Sequence, residues 1–189
     1  MKIEVTRVTS WTDVLNAARF TQRKPLKSGE PSENWKRKII RTEHSPLRCL
    51  MFNIDFYDIP YYVSVHLCRH VHAQPFVSTS RPDIIGPVSG GLPSRETQKK
   101  TDPVNMRFFL NAQEIINISK VRLCMRAESE TRKIWSEVVR ELSKQEPLLA
   151  TACIPSCVYR GMCPELKSCG YIDSDAYTVA REEYCNILL

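Results

Sequence analysis

The chain has 189 residues, with 27 Lys and Arg against 21 Asp and Glu, for a formal net charge of +6. That length suffices for one domain with a substantial core, and no apolar run nears the roughly 20 residues a membrane helix needs. The positive excess favours anionic partners, whether nucleotides, phosphorylated cofactors, polyglutamylated folates or nucleic acid.

Met1-Lys2-Ile3-Glu4-Val5 lacks the apolar stretch of a secretory signal and reads as the start of a strand over residues 1–9, which predicts a cytoplasmic protein. Ser10-Trp11-Thr12-Asp13 is a capping-box pattern that opens a helix through Val14, Leu15, Ala17, Ala18 and Phe20. From Thr21 to about Arg37 the composition turns basic and rich in Pro, Gly and Ser, which predicts a loop with a solvated positive face. Leu50, Phe52, Ile54 and Phe56 then alternate with polar neighbours, the period of a half-buried strand that Pro60 ends. Tyr61 to Cys68 carries the β-branched and aromatic residues of a strand. Pro82 to Pro103, with Gly90-Gly91 at its centre, reads as a long loop. Phe108 to Lys144 is the clearest helical stretch, with room for a break near Ala127 to Glu130 and a stop at Pro147.

Eight cysteines without a secretory signal imply reduced thiols or metal rather than a disulfide framework. Four of them, Cys153, Cys157, Cys163 and Cys169, fall in a short C-terminal span with Pro and Gly turns. Their spacing is not that of a common zinc ribbon, but zinc is a candidate, with Cys157, Cys163 and Cys169 as core ligands and Cys153, Cys185 or a histidine as the fourth. The predicted organisation is a domain over 1–150 and a Cys-rich appendix over 151–189.

Chemistry concentrates after the apolar run, where Arg69-His70-Val71-His72-Ala73-Gln74-Pro75-Phe76-Val77-Ser78-Thr79-Ser80-Arg81 strings guanidinium, imidazole and hydroxyl groups together. Such groups offer charge-assisted donors to phosphate oxygens and to ring carbonyls. Arg69-His70, Thr79 and Arg81 resemble the Arg-His-Arg, Ser and Arg signature of the flavin-dependent thymidylate synthases, with Val71 replacing its second arginine. Asn111-Ala112-Gln113, Arg122, and then Ala127, Glu130 and Arg132 resemble a second block of that family. Ser45-Pro46 ahead of the alternating strand resembles a third.

The resemblance implies an α+β fold, a mixed or antiparallel sheet flanked by long helices, and a helix over residues 61–68. It implies FAD as cofactor, NADPH as reductant, methylenetetrahydrofolate as carbon donor and dUMP as substrate. Family members are homotetramers, and a nucleic-acid partner is not expected. By resemblance, Arg122 polarises the uracil ring; Ser45, Arg69, His70, Asn111 and Asn117 contact the flavin. His66, Arg69, Ser78, Thr79, Ser80, Arg81, Arg95 and Arg122 hold the nucleotide. Eleven residues separate Asn111 from Arg122, about three helical turns, so the two project from one helix face. The chain is shorter than the family across 82–103, as in a compact phage-type member.

Val71, Val77 and Gln113 change the family's charge pattern, and keep open methylation or hydroxymethylation of another pyrimidine nucleotide such as dCMP. The cysteines and the positive charge keep open a non-catalytic zinc-bearing nucleic-acid module.

Overall fold

The computed structural model describes residues 1–79, 81 and 99–188. Four antiparallel strands form one sheet in the order β1-β2-β4-β3, from β1 (Lys2–Arg7), β2 (Met51–Pro60), β3 (Gln74–Val77) and β4 (Pro103–Asn111). Alternation decides which face is covered: Ile3 and Val5, Phe52, Ile54 and Phe56, and Met106, Phe108 and Leu110 all point into the core. The partner face carries Asp55 and Arg107, bound in a two-pronged ion pair at 2.5 and 2.6 Å. Between Phe56 and Ile59 the register of β2 slips, and Asp58 sits there at φ 55°. Its N–H donates to Asn105 Oδ1 at 3.1 Å, so the bulge leaves no backbone donor stranded.

Helices close the inner face. α1 (Trp11–Thr21) starts at the expected capping box, with the Ser10 N–H donating to Asp13 Oδ2 at 2.7 Å. α4 (Ala112–Arg122) and α5 (Ser129–Ser143) bury Ile115, Ile118, Ile134, Trp135, Val138 and Leu142. The two deepest indoles each find an acceptor. Trp11 Nε1 donates to Glu146 Oε2 at 2.8 Å, and Trp135 Nε1 to Ser119 Oγ at 2.9 Å, as buried donors must. Glu146 also takes the Arg7 guanidinium, tying β1 to the end of α5. Among the described residues no helix is long and apolar enough to cross a membrane.

Tyr61–Leu67 is a helix, α3, as the resemblance implied and against its local propensity. Burial of Val63, Ser64 and Leu67 decides it, together with donation by the Tyr61 and Tyr62 N–H groups to Asp102 O and Lys100 O. Two expectations are corrected. The helical reading of Phe108 to Asn111 fails because Val104, Met106, Phe108 and Leu110 alternate at period two and pair with β2; the helix begins only at Ala112, and its break falls at 123–128. The loop expected through Arg37 instead ends in α2 (Glu33–Arg41), whose Ser32 cap accepts from Trp35 N–H and whose Ile39 and Ile40 are buried. Of the basic residues that masked it, Lys38 is exposed, while Lys36 pairs with Glu30 over the Trp11 ring and Arg37 donates to Ile187 O.

Beyond the short α6 (Pro147–Ala150) and α7 (Ser156–Arg160), the C-terminal helix α8 (Asp175–Leu188) folds back toward α2, with Tyr184 and Ile187 against the core.

Candidate active site

Two helix ends meet to form the site. The C-terminal end of α3 delivers His66, Arg69 and His70, and the last residue of α4 is Arg122. Arg122 Nη2 donates to the His66 carbonyl at 2.6 Å, satisfying an orphan of the α3 terminus, and Arg122 Nε donates to His70 Nε2 at 3.0 Å. His66 Nδ1 lies 3.0 Å from Thr131 Oγ1, which fixes that ring from the α5 side.

The electrostatics follow from crowding cations in a half-buried place. Burial and the Arg122 charge together push His70 down to about 4, so its ring is neutral at physiological pH. Burial and the nearby Arg69 weaken Arg122's hold on its proton, although a guanidinium remains charged. A partly buried cation held near another cation is poised to meet an anion.

Along α4 runs a cleft of about 310 Å³ lined by Arg48, His72, Asn111, Gln113, Glu114 and Asn117. The sequence places four of its polar groups on one stretch of chain, at the start of α4. Asn111 is the N-cap, its Oδ1 accepting from Glu114 N–H at 2.9 Å, and Asn117 Nδ2 donates to Glu114 Oε2 at 3.2 Å. Gln113 donates to both Asn117 Oδ1 and Glu43, and Lys120 donates to Glu43 Oε1 at 2.6 Å. Burial pushes the Glu43 carboxyl up, but the bonds from Lys120, Gln113 and Tyr159 outweigh it and hold the group below the usual carboxylate range. Glu43 itself adopts φ 44°, a left-handed backbone that the network sustains.

The structure thus brings together His66, Arg69, His70 and Arg122, and sets Asn111 and Asn117 in the adjoining cleft. Asn111 caps α4 while Arg122 ends it, so the two mark opposite ends of the helix. Ser45 is exposed at the start of a 3₁₀ turn (Ser45–Cys49) and is not among the cleft's lining residues. Ser78 is engaged with the backbone of Asn105, donating N–H to its carbonyl and accepting its N–H on Oγ. Thr79 Oγ1 accepts the Arg81 N–H at 3.1 Å; both residues are exposed beyond the edge strand β3. Ser80 and Arg95 lie outside the described residues. Sequence reasoning missed Glu43, Glu114 and Lys120, and set aside His72. The i, i+3 spacing of Asn111, Glu114 and Asn117 was the available signal.

The cysteine cluster is rearranged relative to expectation. Cys157, Cys163 and Cys169 line one small cavity, joined by Cys124 from the α4–α5 connection. Cys153 stands apart from them: it lies in the main core with Sγ 3.6 Å from Leu149 O, and burial pushes its thiol up to about 12. Among the described residues no group of three or more His, Cys, Asp or Glu is arranged to hold a metal ion.

No family profile matches the chain. A flavin-dependent thymidylate synthase of Clostridium tetani is 33% identical over 95 residues, 44% of this chain and 38% of that protein, so the chain spans well under half of the curated relative it matches. In structure it is similar to the flavin-dependent thymidylate synthase ThyX of Helicobacter pylori complexed with FAD and dUMP, with a TM-score of 0.65 at 14% identity, covering 82% of this chain and 100% of that one. It is also similar to the UMP/dUMP methylase PolB of Streptomyces cacaoi bound with 5-Br dUMP, with a TM-score of 0.56 at 13% identity over 80% of this chain and 94% of that one. The four-stranded antiparallel sheet, the helices on its inner face and these likenesses agree: the chain has the fold of the flavin-dependent thymidylate synthases.

Proposed function

We propose that the chain is a flavin-dependent thymidylate synthase that methylates C5 of dUMP, with FAD as cofactor, methylenetetrahydrofolate as carbon donor and NADPH as reductant. The observation that carries this reading is the junction of α3 and α4, where Arg69, His70 and Arg122 meet beside a cleft lined by amides, an imidazole and Arg48. Those donors and acceptors fit a flavin, whose pyrimidine edge offers carbonyls and an N–H, and whose pyrophosphate calls for cations. Bound there, the flavin supplies hydride chemistry; the chain binds, orients and excludes water.

The relatives contribute to the reading by what they hold: FAD and dUMP in the Helicobacter enzyme, a brominated dUMP in the Streptomyces methylase. Arg122 faces negative charge as it develops on the pyrimidine ring, and the neutral His70 ring holds the guanidinium in place by accepting from Nε. Arg69, Thr79 and Arg81 bind the nucleotide phosphate, and Arg95 and Ser80 are proposed to join them. A homotetramer completes the site; Phe76 on the edge strand is 61% exposed and Val71 86% exposed, apolar surface that another subunit would cover.

Incubation with FAD, dUMP, methylenetetrahydrofolate and NADPH tests the proposal. Thymidylate formation by a yellow, flavin-retaining protein is the expected result; a protein that takes up no flavin and forms no product overturns it. Running dUMP, UMP and dCMP in parallel distinguishes the neighbouring chemistry that Val71, Val77 and Gln113 left open, because turnover of dCMP alone would reassign the substrate. Arg122→Ala is expected to lower methyl transfer by at least about a hundredfold while leaving FAD bound, the loss typical of removing one positioned donor.

A further inference from the structure

Glu114 is a carboxylate on the first turn of α4, only 4% exposed, and the proposed reaction gives it no part. A charge so placed is retained only where partners surround it. Its Oε2 accepts from Asn117 Nδ2 at 3.2 Å, and its Oε1 stands 3.9 Å from His70 Nδ1. On the far side of the same ring, His70 Nε2 accepts from Arg122 Nε at 3.0 Å.

We propose that Glu114 is a positioning residue: its carboxylate orients the His70 ring so that Nε2 stays presented to Arg122, coupling the cleft to the guanidinium at the other end of α4. The acid–base inventory of imidazole drives the argument. In the neutral ring one nitrogen accepts and the other carries the proton. Because Nε2 accepts from Arg122, the proton sits on Nδ1 and points toward Glu114. At 3.9 Å the contact is too long for a direct hydrogen bond, so the influence is electrostatic. The opposite tautomer would aim a lone pair at the carboxylate and an N–H at the guanidinium, unfavourable on both sides.

The connection extends into the cleft without a gap. Asn117, which holds Glu114 Oε2, accepts from Gln113 Nε2 at 3.3 Å, and Gln113 also donates to Glu43. Of the other charged groups, Arg122 on α4 bears on the ring, Arg69 beyond α3 bears on Arg122, Arg48 lines the cleft, and Glu43 pairs with Lys120 beside Gln113. Among the described residues Glu114 is the acid within ion-pair range of His70.

The kinetic part of this inference rests on the proposed synthase reading; its spectroscopic part does not. Imidazole ¹⁵N spectra of the full chain without ligands, at neutral pH, are expected to show His70 in a single neutral tautomer with the proton on Nδ1. Glu114→Ala is expected to give a mixture of tautomers, and Glu114→Gln, which keeps the size but removes the charge, to give one as well. Should the alanine variant fail to fold, Glu114→Asp, which withdraws the carboxylate by one methylene, gives the same test. In the FAD-loaded enzyme the alanine variant is expected to lose about tenfold or more in kcat with nucleotide KM changed less than about threefold, and glutamine, which lacks the charge, to lose a comparable share of the rate. A His70 spectrum unchanged in Glu114→Ala overturns the inference whatever the rates do. A changed spectrum in a chain whose native form makes no thymidylate upholds the positioning role and rejects the synthase reading.

Discussion

His70 sets the chain's response to acid. Its folded form releases its proton near 4, whereas an unfolded histidine does so near 6.5. Between those values the unfolded chain binds a proton that the folded chain refuses, so stability falls as pH drops from about 6.5 to about 4 and is level above. Denaturant titrations across that window are expected to show this slope, and His70→Asn to flatten it; an equal slope in both would remove the assignment. Arg69 and His70 stood out in the sequence because guanidinium and imidazole groups after an apolar run are chemically conspicuous, and Arg122 through the resemblance of its block to a known family. Glu114 was not, because a single acid in the first turn of a helix looks like an ordinary complement to the helix dipole until burial shows that water is absent. Cys124 was passed over for a related reason: it lies more than thirty positions before the other cavity cysteines and only chain folding joins them.

At the scale of elements, α5 depends on a carboxylate at its start. Burial pushes Glu128 up, but the N–H groups of Thr131 and Glu130 and the hydroxyls of Thr131 and Ser129 outweigh it and bring the group down to about 2. Glu128→Ala is expected to cost about 1 kcal/mol of stability, measured as a shift in the denaturation midpoint. Part of the native cap's contribution is lost as pH falls below the ordinary carboxylate range toward 2, so the variant and native proteins converge in stability in acid. β2 and α1 were readable from pattern alone, since strict alternation and a capping box are local signals. α2 was hidden by Lys36, Arg37 and Lys38, whose charge imitates a loop while Ile39 and Ile40 do the packing. β4 ran into α4 because Phe108, Leu110 and Ile115 form one apolar series, and the change of period between them shows only when Met51–Phe56 pair alongside.

Across the whole molecule, the two ends of the first 150 residues are clasped by Glu146, which takes both the Trp11 indole and Arg7. Glu146→Ala strands a buried indole N–H and leaves Arg7 only its pair with Glu30 at 3.3 Å, and is expected to destabilise the chain by about 2–3 kcal/mol, read in thermal unfolding with Trp fluorescence as probe. The sequence division at residue 150 describes composition better than mechanics. Tyr159 stacks under Lys120, with the ammonium 3.8 Å from the ring centre, and also reaches Glu43, while Arg37 holds the carbonyl of Ile187. The cysteine-rich tail is therefore a brace on the last turn of the same helix that ends at Arg122. Cutting the polypeptide after residue 150 would not trim an ornament; it would loosen the stem on which the Arg122 guanidinium is mounted.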